Sequence, residues 1–230
     1  MFVRQNQQQF RNSNADVQIF YAPAPAYSAS TTQRITSTWN KPPGVSHVYI
    51  LCIGAGANGD GAANGGGSGG TTVWYGAAQN VPDVLGLQVG FPVDGAGNGF
   101  PDSVIYFGTG TTVLMSGRGA SIAPTSGSVE TNRPFASSGF FQTVAGQNGS
   151  ATNITTPSST TFLSGGSNTA SVTGNYGYTN AGPGAQQNGF SLLQPIIVGV
   201  GGSNNGKAGF GCGGGVGGAG GNGLILIASW

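Results

Sequence analysis

Apolar positions in this chain fall in short runs, some alternating with polar residues and some unbroken, and no stretch sustains a helical period. Gln33–Trp39 alternates and sets Ile35, Ser37 and Trp39 on one face of a strand. Asn40–Gly44 (NKPPG) is a turn, because proline fixes φ and glycine permits positive φ. Val45–Gly54 is nearly continuous in apolar residues, the mark of a strand buried on both faces, and makes a first strand pair with Gln33–Trp39. Further strands are predicted at Thr71–Tyr75, Val84–Gly90, Ser103–Phe107, Thr111–Ser116 and Leu192–Val200. Gly223–Trp230 (GLILIASW) is a strong β run at the end of the chain and should close a sheet. Gly117–Gln187, rich in Ser, Thr, Asn and Gly, reads as exposed loops and short strands. The pattern predicts an all-β, sandwich-like fold with very little helix.

Glycine changes that picture. It supplies 45 of 230 residues, against an average usage of roughly 7%. Most of the excess lies in two blocks, Gly54–Gly70 and Gly199–Gly223. Glycine loses more backbone entropy on folding than any other residue, so an ordered block must gain from close backbone approach. Polyproline II has three residues per turn and no internal hydrogen bonds. Bundled segments of that type can satisfy one another's peptide groups laterally where side chains are absent. The alternative is a pair of linkers without fixed structure. Ala, Val, Phe and Cys interspersed in the blocks, and a buried strand next to each, favour packed, extended segments.

Residues 1–29 stand apart. A glutamine tract (Gln5, Gln7, Gln8, Gln9) is punctuated by apolar anchors that include Phe2, Phe10 and Phe20, and Ala22–Ala26 (APAPA) closes it as a semi-rigid spacer. Composition leaves a solvated tail and a docking arm equally open. The expected organisation is an arm and linker over 1–29 and a single glycine-rich β domain over 30–230.

Charge is scarce. Seven basic and six acidic residues make up 6% of the chain and leave a net +1, where about 25% is usual. A nucleic-acid binder needs a basic stripe, and none is present. The N-terminus lacks the apolar core of a secretory signal, and no apolar run reaches the roughly 18 residues of a membrane-spanning helix. Nucleic acid and membrane are therefore not expected partners. A surface so poor in charge suits a neutral polar exterior or burial in an assembly.

Candidate chemistry is sparse as well. His47, the single histidine, adjoins Ser46, but neighbours along a strand point to opposite faces, so no nucleophile–base pair is expected. One histidine and two distant cysteines give no zinc spacing. Asp94–Asp102 (DGAGNGFPD) has carboxylates for a calcium loop but not the EF-hand order, and reads as a solvated turn. Gly54–Gly59 matches G-x-G-x-x-G after a strand, yet more glycine follows where a phosphate-binding helix should begin. No enzyme, cofactor or metal is expected. Cys52 and Cys212 read as buried thiols; a bridge between them would tie the two glycine blocks together, which spacing alone does not decide. Trp74, Tyr75, Tyr176 and Tyr178, set among small polar residues, are the candidate receptor or partner contacts of the domain, as Phe2, Phe10 and Phe20 are of the arm; plain packing over glycine backbones is the competing reading for each of the four.

Thr38–Val45 (TWNKPPGV), the apolar strand Val48–Ile53 and the glycine block behind it resemble the glycine-rich domain of virion proteins from phages and large DNA viruses. Val81–Gly90 and the final glycine-rich run into Gly223–Ile227 extend the resemblance, which covers about residues 33–107 and 196–230. It implies a structural or host-contacting part of a virus particle, a class that includes tail-fibre adhesins with packed polyglycine helices. The glycine blocks here are shorter and more interrupted, and the glutamine-rich arm is an addition. The expectation is a virion-located, non-enzymatic structural protein, capsid-associated or part of an appendage. It would be docked to other virion proteins through residues 1–29 and homo-oligomeric. The alternative is a tail-fibre adhesin that contacts a host surface receptor with the loops of 117–187.

Overall fold

A computed structural model describes residues 4–5, 15–21, 35–61, 63–93, 99–131, 133–150 and 208–230. These residues form two antiparallel sheets and no α-helix, the all-β sandwich expected from the pattern. In chain order the strands are β1 (Arg4–Gln5), β2 (Asp16–Tyr21), β3 (Ile35–Asn40), β4 (His47–Ile53), β5 (Thr71–Ala77), β6 (Val84–Val89), β7 (Ser103–Phe107), β8 (Val113–Gly117), β9 (Phe140–Val144) and β10 (Leu224–Ser229). One sheet has the order β1-β2-β10-β4-β5-β9, the other β3-β6-β7-β8. Single 3-10 turns occupy Ala78–Asn80 and Pro134–Ser137.

The unbroken apolar strands behave as their sequence requires. Along β4, Val48, Ile50 and Cys52 enter the core between the sheets, while Tyr49, Leu51 and Ile53 enter a second cluster on the other face. On β10, Ile225 and Ile227 face inward, and Leu224, Leu226 and Ala228 face outward. The four-stranded sheet contributes Trp39, Leu85, Leu87, Val89, Ile105 and Met115 to the shared core. Cys212 packs in the outer cluster, opposite to Cys52, and both are free thiols.

Two expectations are corrected. β3 and β4 are not a hairpin pair: β3 pairs with β6, whereas β4 pairs with β5 and β10. The turn at 41–46 carries the chain from one sheet to the other, which lets Trp39 and Val48 both fill the space between them. Nor is the whole of 1–29 separate from the domain. β2 lies inside the six-stranded sheet, paired along its full length with β10, and buries Val17 and Phe20. The strand predicted at Leu192–Val200 lies outside the described residues, as does all of 117–187 beyond residue 150.

The glycine blocks continue the sandwich at one end. β4 runs into 54–60, β5 is entered from 64–70, β8 runs on into residue 118 and beyond, β9 leads into 145–150, and β10 is entered from 208–223. These segments bond sideways with a period of three. Gly54 and Ala57 donate to the carbonyls of Gly70 and Gly67 at 3.0 and 2.8 Å; Gly56 and Gly59 donate to Gly221 and Gly218, both at 2.9 Å. Gly66 and Gly69 donate to Gly214 and Gly211, both at 2.8 Å; Gly65 and Ser68 donate to Ser150 and Gln147 at 3.1 and 2.9 Å. A rod with three residues per turn presents three faces, each to a different neighbour, as polyproline II geometry demands. At particular positions a side chain has no room: a methyl group at Gly56 would overlap the Cys212 carbonyl, and one at Gly59 the Gly215 carbonyl.

Candidate pocket on the four-stranded sheet

The outer face of the four-stranded sheet carries Gln88, Val104 and Ser116 in register across β6, β7 and β8. Phe100 and Pro101, which precede β7, and the chain that follows β8 rise beside this face and enclose a cavity of about 290 Å³. Arg118, one residue beyond β8, and Arg133, at the start of the second 3-10 turn, line it.

Charge is concentrated here. Asp102, Arg118, Glu130 and Arg133 are four of the thirteen charged residues in the chain. Arg118 Nη1 donates to Asp102 Oδ2 at 2.7 Å, and the Gly119 amide donates to Asp102 Oδ1 at 2.7 Å. Glu130, its side chain 4% exposed, accepts from the Ser116 hydroxyl and from the Thr131 amide at 3.0 Å. Arg133 Nε sits 3.1 Å from Glu130 Oε1, an ion pair short of hydrogen-bond alignment. Tyr106 donates its hydroxyl proton to Gln88 Oε1 at 3.2 Å, and Gln88 Nε2 donates to the Asp102 carbonyl at 3.4 Å. Both carboxylates are thus engaged from two sides. Each guanidinium has five N–H donors in a planar fork, and among the described residues each makes one ion contact.

The aromatic candidates divide. Phe20 and Trp74 are corrected from contact residues to core residues: they are 1% and 0% exposed, and Trp74 stacks on Phe135 with centroids 4.9 Å apart. Tyr75 is half-buried. Its ring, with those of His47 and Trp230, makes a triangle of centroids 5.8, 5.9 and 6.1 Å apart, the planes within 18° of parallel. Near-equal sides mean that the three rings do not form one column. Phe2, Phe10, Tyr176 and Tyr178 lie outside the described residues.

Ser46 and His47 are a further correction. Ser46 precedes β4, so strand alternation does not separate the two, and its Oγ lies 2.9 Å from His47 Nδ1. Among the described residues no carboxylate bonds the imidazole to orient it as a catalytic base requires. Asp102, weighed as a calcium ligand, is spent on Arg118 and Gly119. Among the described residues no cluster of His, Cys, Asp and Glu has the makings of a metal site. No described helix is long and apolar enough to cross a membrane.

Sequence reasoning missed Gln88, Tyr106, Arg118 and Arg133 as a group. No sequence signal marks them: Asp102, Arg118, Glu130 and Arg133 are no denser along the chain than Arg4, Arg11, Asp16, Arg34 and Lys41, and only the fold gathers them on one face. Compared with known proteins, the sequence matches no family model and no curated protein.

Proposed function

We propose that this chain is a non-enzymatic structural component of a virus particle, docked to other particle proteins. The observation that carries this reading is the glycine layer. A three-period lattice of peptide hydrogen bonds extends the sandwich with glycine-rich segments. Such a layer is cross-bonded through its backbone and carries few titratable groups, which suits a building element. The scarcity of charge adds support, since neutral surfaces are suited to burial between subunits. The docking role falls to residues upstream of β2 apart from Arg4–Gln5, because β2 lies inside the six-stranded sheet and Arg4–Gln5 pairs with it as the edge strand. Gradient-purified, protease-treated particles should contain the chain at a fixed ratio to their shell proteins, measured by quantitative mass spectrometry. Its presence only in infected-cell lysate would refute the proposal.

A second reading, a surface adhesin, draws on the pocket beside β6–β8. Two of its lining residues, Arg118 and Arg133, lie inside the 117–187 region assigned to recognition.

A further inference from the structure

We propose that the pocket lined by Arg118 and Arg133 binds a carboxylate-bearing saccharide residue. The inference rests on the adhesin reading and names its ligand. Three observations carry it. The cavity, about 290 Å³, is at the small end of ligand sites and has room for one sugar ring. Its walls combine apolar and aromatic surface from Phe100, Pro101 and Tyr106 with polar groups, the mixture that a sugar ring with C–H faces and an equatorial belt of hydroxyls requires.

The third observation is a donor surplus. Asp102 and Glu130 already accept from protein donors on both oxygens. Arg118 and Arg133 line the cavity, and among the described residues each guanidinium makes one ion contact; a planar fork of donors matches a carboxylate bidentately. The ion pairs also hold the forks in place before a ligand arrives, which lowers the entropy lost on binding. A neutral sugar would satisfy the polar wall but leave the forks unmatched, so the site discriminates in favour of acid sugars.

The test uses the full chain titrated with glucuronate, and with glucose as the neutral counterpart, read by amide chemical shifts and by calorimetry. Glucuronate should move the amides of Gln88, Tyr106 and Ser116, and glucose should not. Arg118→Ala should weaken glucuronate binding by about tenfold, since a charge-assisted bond is lost, and Arg118→Lys should restore part of it. Both variants should keep the melting temperature within a few degrees, because the Arg118–Asp102 pair is exposed by 40% and 30%. Equal response to the two sugars, no response to glucuronate at tens of millimolar, or shifts confined to residues away from the pocket would overturn the proposal. The wild-type shifts decide the matter even if Arg118→Ala does not fold. Protein that adheres to host cells but fails this titration would sink the inference while leaving the adhesin reading standing.

Discussion

At the scale of single residues, glycine is the decisive type, and its positions are not equivalent. Gly56 and Gly59 face neighbouring carbonyls so closely that a Cβ has no place, whereas a Cβ on Gly61 meets open space. Gly56→Ala or Gly59→Ala should cost about 1–3 kcal/mol through overpacking. Gly61→Ala should change stability by no more than about 0.5 kcal/mol. Urea denaturation of the three variants checks the ranking; equal losses would mean that the close approach contributes nothing. Two buried acids set a pH dependence. Burial raises the Cys52 thiol and the Tyr49 phenol well above their ordinary values. Their contribution is complete below the unfolded pKa values, about 8.5 and 10. Above those values the unfolded chain ionises while the folded chain holds its protons, so stability falls as pH rises toward the folded pKa values. Melting temperature should therefore decline through the alkaline range, and Cys52→Ser should not be used to test the sign, because it alters the core as well. A melting temperature that rises from pH 8 to pH 11 would contradict the assignment.

At the scale of elements, β2 is the instructive case. Its sequence (DVQIFY) sits in a glutamine-rich stretch that reads as an arm, yet it pairs with all six residues of β10. Without it, β10, an apolar strand buried along its length, would become a sheet edge. Such an edge invites pairing with other chains. Removing residues 1–14 should leave a cooperative unfolding transition, whereas removing residues 1–21 should produce aggregation visible by light scattering. Phe20→Ala should cost about 3–5 kcal/mol, the usual loss for a fully buried aromatic ring. A soluble, cooperatively melting protein without residues 1–21 would show that β2 is dispensable. The same element-scale reasoning explains the crossing at 41–46. Lys41 anchors that link by donating to the Val81 carbonyl at 2.8 Å and pairing with Asp83 at 2.8 Å, so the connection is fixed to the start of β6.

At the scale of the molecule, the sandwich and the glycine layer share strands and therefore share stability. The β4 strand enters the layer as residues 54–60 without interruption, and a layer amide such as Gly54 bonds to Gly70, at the entrance to β5. Opening the layer alone would expose many peptide groups with no compensating gain in side-chain burial. Amide exchange at Gly56, Gly59, Gly66 and Gly69 should thus be as slow as in β4, because all of them report on global unfolding. Exchange within seconds at these four, with β4 protected, would show two separately opening units and remove the chief support for a building element.

Much of this was written in the sequence. Unbroken runs such as VYILCI (Val48–Ile53) and LILIA (Leu224–Ala228) fixed which strands lie buried on both faces, because an apolar strand has no other stable environment. The glycine excess left packed rods and linkers both open, and the Ala, Val, Phe and Cys set among the glycines, with a buried strand beside each block, pointed to packing. Tertiary structure alone decided the partners. β3 joins β6 and not β4, β2 joins β10, and Arg118 meets Asp102, because pairing is selected by long-range burial that local pattern does not encode. The three-residue rhythm of the glycine layer was implicit in polyproline II geometry, but which rod lies against which followed only from where the strands of the two sheets deliver them.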